Sequence, residues 1–399
     1  MKKYLSANQA AEMLGVSKAT LYAYVSRGLI RSEEMGSDSR VRRYLAEDVR
    51  KLEERKAYRR NPAQVAQDAL HWGTPLLDSA LTLINDDGLY YRGRDATELA
   101  RTRTIEQVAA LFWTGQEQDT DGLFDTRTST AVLERIDPKL TAMQRITVAL
   151  TLAGVNDLAA YNLQPEAVTH TGARILTLVA EALTLQPLAG ESIAEHLRHG
   201  WQPDDLRLDR LIEAALILCA DHELNVSSFT ARVVASADAT PYAVVTAGLA
   251  ALQGLKHGGI SEQVEAFLRE IGSVERIASV TAARLRRGER IPGFGHSLYP
   301  QGDVRAKTLL NLLDTAYPDA PEVEFVRETS GQVRQMIDHY PNVDFALAGL
   351  AYVAHLPPGS ALALFALGRT VGWIGHAIEQ YQSGVLIRPR ARYVGEPPK

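Results

Sequence analysis

Histidine, aspartate and arginine side chains recur in four short stretches that interrupt apolar helical patterns. The stretches are CADHELNVSSFTAR, GLKHGGISEQV, GFGHSLYPQGDVRA and PNVDFALAGL, and they contain His222, His257, His296 with Arg305, and Asp344. A carboxylate can remove a weakly acidic proton where water is excluded, an imidazole can donate or accept a proton, and a guanidinium group matches a carboxylate. Singly, each residue is also compatible with a helix cap or a glycine turn. The set, rather than any one member, predicts catalysis.

Glycines beside two of these histidines shape what the imidazoles can do. His257 precedes two glycines and a predicted helix start, and the positive end of a helix disfavours an imidazolium. We therefore predict a neutral His257, which can still donate one N–H group. Gly293 and Gly295 precede His296 and allow the backbone to approach a ligand closely.

The elements that must position these residues are predicted to be mainly helical. Apolar residues recur at three- and four-residue steps in LARTRTIEQVAALFWTG, LTAMQRITVALTLAG, TGARILTLVAEALTL and DRLIEAALILCADHEL. Strand signals are few, and INDDGLYYRG predicts a small hairpin. We expect a mainly α fold.

Length and composition limit the class of protein. The 399 residues, 46% of them hydrophobic, suffice for two or three domains with cores. The single cysteine, Cys219, excludes a disulfide framework and is typical of a reducing compartment, so we expect a cytoplasmic protein. His196 and His199 are three residues apart with no third ligand nearby, so no metal site is expected. No uninterrupted apolar run approaches the roughly 20 residues of a membrane helix, and no membrane partner is expected.

The first sixty residues differ in charge from the rest. They hold 14 Lys and Arg against 8 Asp and Glu, a net of +6, whereas residues 61–399 hold 29 against 40, a net of −11. Two short helices capped by Ser6 and Ser17 are predicted, with a tight turn at Gly15. The candidate DNA-contacting residues are Lys18, Thr20 and Tyr22 on the second helix and Arg40, Arg42 and Arg43 in a basic wing.

Residues 4–55 resemble the winged helix-turn-helix domain of mercury-resistance (MerR-type) regulators, through the two helices, Arg42 with Tyr44, and the EDV that follows. This resemblance implies a small winged helix-turn-helix domain over residues 1–58, with double-stranded DNA as a partner. The alternative is a module that supports dimerisation and whose basic face is only solvated.

About residues 74–399 resemble the citrate synthase family. The matching pieces, in register, are YYRG at 90–93, ADHE-x-N at 220–225, KHGG at 256–259, GFGH…R at 293–305, NVD at 342–344 and GRTVGWIGH…RPR at 368–390. The resemblance implies a two-domain helical fold after a linker at 59–73. Its large part would comprise 74–258 and 356–399, its small part 259–355, and the protein would be a homodimer.

The same resemblance implies condensation of acetyl-CoA or propionyl-CoA with oxaloacetate to citrate or 2-methylcitrate, with no cofactor beyond the CoA thioester itself. Asp344 would remove the proton alpha to the thioester, His257 would donate to the enolate oxygen, and His296 would act on the ketone. The carboxylate-binding residues would be His222, Arg305, Arg369 and Arg388, the last acting across the dimer interface.

Two positions differ from the family pattern at the place where basic residues usually bind the CoA phosphates. Ser297 and Pro300 replace basic residues there. The basic run RLRRGER offers Arg284 and Arg287, and Lys307 follows closely, so these three, with Gly293 and Gly295, are the candidate CoA-binding residues. The alternative is a solvated basic helix end.

Three questions stay open from the residues alone. The choice between acetyl-CoA and propionyl-CoA depends on one methylene group in a pocket. The reaction direction, synthase or citryl-CoA lyase, does not follow from residue types. A third possibility is a DNA-binding regulator that senses citrate or acyl-CoA in a former active site.

Overall fold

The computed structural model describes residues 4–27, 29–34, 42–46, 48–49, 52, 77–85, 88–118, 120, 122–124, 130–188, 192–391 and 393–396. The chain divides into two compact units, Met1–Asp78 and Ser79–Lys399. The predicted linker at 59–73 lies outside the described residues, and the predicted bounds of the large and small parts of the second unit stay predictions.

The first unit is a small winged helix-turn-helix domain. Its helices are α1 (Ala7–Met13) and α2 (Lys18–Ser26), and its strands are β1 (Tyr4–Ser6), β2 (Ser32–Glu34) and β3 (Arg42–Leu45), in the antiparallel order β1-β3-β2. The predicted caps are confirmed, since Ser6 accepts from the Gln9 N–H and Ser17 from the Thr20 N–H. Leu14, Leu21 and Tyr44 belong to its small core.

The second unit begins with a three-stranded sheet and continues as helices. Strands β4 (Thr82–Asn85), β5 (Gly88–Tyr91) and β6 (Arg94–Asp95) pair antiparallel in this order. The predicted hairpin is confirmed, and its turn residues 86–87 lie outside the described part of the chain.

The helices of the second unit are α3 (Ala96–Thr102), α4 (Ile105–Thr114), α5 (Thr130–Leu133), α6 (Ala142–Asn156), α7 (Pro165–Thr184), α8 (Ile193–Trp201), α9 (Leu208–Cys219), α10 (Val226–Ala235), α11 (Pro241–Leu252), α12 (Ile260–Ile271), α13 (Ile277–Arg286), α14 (Val304–Ala316), α15 (Pro321–Ile337), α16 (Val343–Val353) and α17 (Ser360–Ser383). Short 3-10 turns occur at Leu158–Tyr161 and Val274–Arg276. The expected mainly α fold is confirmed.

Helix α17 is the centre of the second unit. It packs against α4, α7, α9, α10, α11 and α16. By length and composition alone it could cross a membrane, but its apolar window is wholly buried inside the protein, as expected for a core helix. Its close approach to α9 requires glycine, because a Cβ at Gly368 or Gly372 would collide with the carbonyl oxygen of Leu216 or Ala220. This contact brings Arg369 against the end of α9.

Candidate active site

Three ring side chains form the centre of the predicted site. His222 lies between α9 and α10, and His296 and Tyr299 lie between α13 and α14. The ring centroids of His222 and His296 are 5.1 Å apart, and Tyr299 lies beside both rings. Its hydroxyl is 3.0 Å from Nε2 of His222. Tyr299 was not predicted as a site residue, although the GHSLYP stretch that contains it carried the signal.

Arg305, in the first turn of α14, is 2% exposed and forms an ion pair with Asp303. Its Nε and Nη2 atoms donate to the two carboxylate oxygens of Asp303 at 3.0 and 2.8 Å. Burial alone would lower the pKa of this guanidinium, but Asp303 raises it overall. Asp303 also accepts from the Val343 N–H at 3.0 Å. This carboxylate, which the sequence did not single out, therefore ties Arg305 to the start of α16.

Arg369 of α17 is 1% exposed and has no carboxylate partner among the described residues. Its Nε donates to the Cys219 carbonyl at 2.8 Å, while both Nη atoms are buried without a hydrogen-bond partner in the described part of the chain. Burial lowers the pKa of this guanidinium. Unpaired buried donors cost free energy, so this arrangement is suited to an incoming anion.

His257, which lies between α11 and α12, contacts a serine that the sequence analysis did not select. Its Nε2 is 2.9 Å from the hydroxyl of Ser227, which donates to Asn225 Oδ1 at 2.8 Å and accepts from Trp373 Nε1 at 3.2 Å. The single Ser227 hydroxyl hydrogen can point to Asn225 Oδ1, in which case Nε2 of His257 donates, or to Nε2, in which case the imidazole hydrogen is on Nδ1. The pKa of His257 is lowered to about 3 by burial, then by Arg369 and Arg305. The imidazole is neutral, as predicted, although burial rather than a helix end is the main cause.

His296 has a tautomer set by the backbone. The Leu298 N–H donates to its Nδ1 at 3.2 Å, so the hydrogen of the neutral ring is on Nε2. Burial and Arg305 lower the pKa of His296 to about 4. The ring therefore offers one N–H donor near neutral pH.

Asp344, in the first turn of α16, is a buried carboxylate with one side-chain donor. It is 8% exposed, and Ser261 donates its hydroxyl to Oδ1 at 2.6 Å. Burial raises the pKa of Asp344 to about 6, although the Ser261 hydrogen bond lowers it. A carboxylate of this pKa is suited to act as a base near neutral pH. Ser261, at the start of α12, was not predicted, and the GGISE stretch gave no specific signal for it.

The glycine loop joins His296 to Asp344. The Gly295 N–H donates to the Tyr340 carbonyl at 2.7 Å, and the Asn342 N–H donates to the Gly293 carbonyl at 2.9 Å. Gly293 has a φ of 85°, and a Cβ there would press on Val264 and Phe345. The need for glycine at 293 therefore follows from packing and a left-handed backbone. Contact of Gly293 and Gly295 with CoA stays a prediction.

Arg305 shows that the predicted groups share one region. Its charge lowers the pKa of His222, His257, His296 and Asp344 alike, in each case after the larger effect of burial. Coulomb interactions of this kind require proximity in a region of low dielectric constant. Side chains from all four predicted stretches thus lie in the field of one guanidinium.

The remaining predicted substrate residues are outside this cluster. Arg388 is exposed in the segment after α17. Arg284 pairs with Glu270 and lies over the Phe267 ring, and Arg287 pairs with Glu289. Lys307 is exposed on α14. Carboxylates thus already neutralise two of the three candidate cations for CoA phosphates, and all these roles stay predictions.

Two histidines outside the cluster have structural partners. His376 is fully buried, and its Nε2 is 3.2 Å from Asp221 Oδ1. His196 lies 2.8 Å from the Thr184 hydroxyl. Among the described residues no three His, Cys, Asp or Glu side chains group as a metal site.

In the first unit, some of the residues that we predicted to contact DNA are exposed to solvent. Lys18 is exposed and Tyr22 is 52% exposed, whereas Thr20 is half-buried beside Ser17. Arg42 is exposed, and Arg43 pairs with Glu33. Arg40 lies outside the described residues.

Comparison with known proteins agrees with this architecture. Residues 69–390 match the family described as citrate synthase, C-terminal domain, and residues 4–57 match a helix-turn-helix domain. Citrate synthase 2 of Bacillus subtilis is 30% identical over 357 residues, which cover 81% of this chain and 94% of that protein. A 2-methylcitrate synthase of Mycobacterium tuberculosis is 30% identical over 77% of this chain and 85% of its own length.

Solved structures are similar over the same part of the chain. Citrate synthase from Thermotoga maritima superposes with a TM-score of 0.69 at 27% identity, covering 81% of this chain and 94% of that one. Citrate synthase from Thermoplasma acidophilum, solved with carboxymethyl coenzyme A and oxaloacetate, has a TM-score of 0.70 at 24% identity, covers 82% of this chain and 95% of its own, and shows the fold alone. On the family match and the identity to curated relatives over most of its length, this chain belongs to the citrate synthase family.

Proposed function

We propose that this enzyme of the citrate synthase type condenses an acyl-CoA, acetyl-CoA or propionyl-CoA, with oxaloacetate, and that His257, His296 and Asp344 carry the chemistry. The observation that supports this most directly is the buried cluster around Arg305, in which a carboxylate of raised pKa and neutral imidazoles share one environment. A base, two N–H donors and a carboxylate-binding cation are what this condensation needs.

In the first step the Asp344 carboxylate takes the proton alpha to the thioester carbonyl. The electron pair of the broken C–H bond forms an enolate, whose oxygen accepts a hydrogen bond from the His257 imidazole. The Ser227 hydroxyl has two acceptors, Asn225 Oδ1 and His257 Nε2. Rotation of this hydroxyl toward Nε2 places the imidazole hydrogen on Nδ1, where it can serve the enolate.

In the second step the enolate carbon attacks the ketone carbon of oxaloacetate. A carbon–carbon bond forms and the ketone π electrons become an alkoxide, whose oxygen accepts a hydrogen bond from the Nε2–H of His296. The proton that Asp344 took in the first step balances the charge of the alkoxide, so that both side chains return to their starting states. Water then cleaves the thioester, releasing the CoA thiol and citrate or 2-methylcitrate.

The oxaloacetate carboxylates are proposed to bind Arg369 and Arg305, with His222 as a further donor. Both Nη atoms of Arg369 are buried without a partner among the described residues, so a carboxylate there satisfies donors that the protein leaves open. Arg305 is held by Asp303 and contributes a fixed positive field.

A thiol-release assay with oxaloacetate and an acyl-CoA tests the assignment. Asp344→Asn and His257→Ala are expected to lower kcat at least about 100-fold. Asp319→Asn, at an exposed aspartate before α15, is the matched control and should keep wild-type kcat. Wild-type turnover by both site variants would refute the roles, and a wild-type protein that binds both substrates but releases no thiol would favour a sensor.

We further propose a homodimer in which the partner's Arg388 completes the oxaloacetate site. Apolar side chains are exposed at the end of α6 and in the following turn, at Val155, Leu158 and Tyr161, and again at Val385 and Leu386 just before Arg388. A second copy that covers such residues removes apolar surface from water.

Mixing two inactive variants tests action across the interface. Asp344→Asn and Arg388→Ala are each expected to be inactive alone. If Arg388 acts in trans, a mixed dimer contains one site with both native residues, and mixing restores activity. If Arg388 acts in cis, neither site is complete and mixing restores nothing.

A second proposed function is DNA binding by the first unit. It is supported by the helix-turn-helix match, the net charge of +6 over residues 1–60, and the exposure of Lys18 and Tyr22 on α2. Lys18→Glu is expected to weaken binding to duplex DNA, and affinity should fall steeply as salt rises. Retention on DNA that does not respond to salt, or that Lys18→Glu leaves unchanged, would contradict this proposal.

A further inference from the structure

Helix α17 approaches the turn between α9 and His222 closely enough to fix one end of the Arg369 guanidinium. Nε of Arg369 donates to the Cys219 carbonyl at 2.8 Å. Three positions further along the helix, the Gly372 N–H donates to the Ala220 carbonyl at 3.1 Å. Residues three apart share a helix face, so both contacts are made by the same side of α17. The guanidinium is thereby anchored through Nε, and its two Nη atoms remain to bind a ligand.

The next residue on this face of α17, His376, contacts the Asp221 carboxylate. Nε2 of His376 lies 3.2 Å from Asp221 Oδ1, and both side chains are fully buried. Burial alone would raise the pKa of Asp221, but His376 and then Arg369 lower it overall, so the carboxyl group is ionised. An ionised carboxylate only accepts hydrogen bonds, and Nε2 of His376 is therefore the donor.

Two hydroxyl groups also donate to the Asp221 carboxylate. Thr82 of β4 donates to Oδ2 at 2.6 Å, and Ser228 of α10 donates to Oδ1 at 3.2 Å. The backbone of Asp221 is held separately, because the Tyr91 hydroxyl of β5 donates to its carbonyl at 3.2 Å. With His376, the carboxylate has three donors from three elements, and loss of one would free the side chain rather than the turn.

Asp221 and Arg369 are buried charges of opposite sign that influence each other without a hydrogen bond. Burial lowers the pKa of Arg369, and the charge of Asp221 offsets part of that shift, which requires the two groups to be close. Both Nη atoms of Arg369 nevertheless have no hydrogen-bond partner in the part of the chain that the structure describes. The donors that bind Asp221 account for this, because they occupy the oxygens that could otherwise pair with the guanidinium.

We propose that Asp221 and His376 are a positioning pair that keeps the Nη atoms of Arg369 open for a carboxylate ligand. Asp221 balances the buried charge of Arg369 from a distance, which stabilises the guanidinium before a ligand binds. His376 donates to Asp221 and so prevents its carboxylate from forming the bidentate ion pair that would exclude the ligand. The inference rests on the proposed binding of oxaloacetate by Arg369, and it adds two residues that act through Arg369 rather than by contact with the ligand.

Isothermal titration calorimetry with oxaloacetate tests the role of His376 without turnover. His376→Leu removes the donor and keeps a side chain of similar volume in the core, so Asp221 can turn to Arg369. Kd for oxaloacetate should then rise about tenfold or more, the size expected for the loss of a hydrogen bond to a charged group. His376→Gln, whose amide N–H can reach the position of Nε2, should recover most of the affinity.

His196→Leu is the matched control, at a second buried histidine that contacts the Thr184 hydroxyl outside the site. It should lower the free energy of unfolding in urea but leave Kd for oxaloacetate unchanged. In steady-state assays His376→Leu should raise KM for oxaloacetate and leave KM for the acyl-CoA unchanged, whereas a general distortion of the fold would change both.

The double variant His376→Leu with Asp221→Asn separates this role from a purely structural one. Asparagine carries no charge and cannot neutralise Arg369, so the double variant should bind oxaloacetate more tightly than His376→Leu alone. If the two residues only support the turn, the second change adds to the damage and the double variant binds more weakly. Weaker or equal binding by the double variant would overturn the proposal.

Thr82→Val makes the same test from β4, where the side chain is half-buried and the replacement nearly keeps its shape. It removes the donor to Asp221 Oδ2, and Kd for oxaloacetate should rise severalfold. Binding by the wild type that neither His376→Leu nor Thr82→Val weakens would refute this inference alone. No binding of oxaloacetate by the wild type would refute the proposed function and this inference with it.

Discussion

Arg305 and Arg369 are about equally buried, but their guanidinium groups have different partners and their pKa values are shifted in opposite directions. Arg305 makes two hydrogen bonds to a carboxylate, and its pKa is raised despite burial; Arg369 donates one bond to a carbonyl, and burial lowers its pKa. A buried charge that keeps its partner contributes to the fold, whereas one left without a partner depends on a ligand. The comparison predicts that Arg305 serves both the fold and binding, and that Arg369 serves mainly binding.

Replacement of Arg305 is expected to have the largest effect on stability. Arg305→Leu leaves Asp303 as an uncompensated buried charge, so the free energy of unfolding should fall by about 3–5 kcal/mol. Urea denaturation measures it. The double variant Asp303→Asn with Arg305→Leu should recover much of the lost free energy of unfolding. An equal loss in the single and the double variant would show that the unpaired Asp303 charge is not the cause.

Replacement of Arg369 is expected to separate binding from stability. Arg369→Met removes a buried charge whose one hydrogen-bond acceptor among the described residues is a carbonyl, and methionine can keep the contact with the Phe365 ring, so the free energy of unfolding should not fall. Oxaloacetate at about 100 times its Kd should stabilise the wild type by about 2.7 kcal/mol and Arg369→Met hardly at all. Thermal denaturation with and without oxaloacetate measures both effects. Strong destabilisation of the ligand-free variant would show that Arg369 is structural.

The pH dependence of activity reports on Asp344, which lies in the field of both Arg305 and Asp303. Burial raises its pKa to about 6, so kcat/KM should fall as the pH drops through about 6 and the base is protonated. Ser261→Ala removes a donor that stabilises the carboxylate, so the acidic limb should move to higher pH. A limb that stays in place would mean that Ser261 does not tune the base.

Stability should respond to the same ionisation with the opposite sign. The folded pKa exceeds the ordinary value of 3.8, so the fold disfavours the ionised form, and Asp344 lowers stability as the pH rises from about 4 to about 6. Asp344→Asn should remove that part of the pH dependence in urea titrations at successive pH values. An unchanged slope would contradict the assigned pKa.

The smallest expected effect concerns the donor to His257. Ser227→Ala removes the hydroxyl that can direct hydrogen to Nε2, so kcat should fall about tenfold with little change in KM for oxaloacetate. Ser279→Ala, at an exposed serine on α13, is the control. A rise in KM without a change in kcat would place Ser227 in binding rather than in orientation of the imidazole.

Much of the site was predictable because its residues stand in stretches of distinctive local chemistry. The histidines and Asp344 interrupt apolar helices, and glycines precede His296 and follow His257. Asp303, Ser227 and Ser261 carried no such signal, since a single serine or aspartate near a helix start is typical of an ordinary cap. Their roles depend on partners far away in the chain: Ser261 meets Asp344, and Ser227 meets Trp373 and His257.

The sequence by itself determined the mainly helical fold, the winged helix-turn-helix at its start and the order of the site stretches, because periodicity, caps and short motifs are local properties of a chain. Only the tertiary structure decided which charges are paired. Arg284, Arg287 and Arg305 each form an ion pair with a carboxylate, while both Nη atoms of Arg369 have no hydrogen-bond partner among the described residues. Burial and ion pairing depend on distances between elements, and spacing along the chain does not contain those distances.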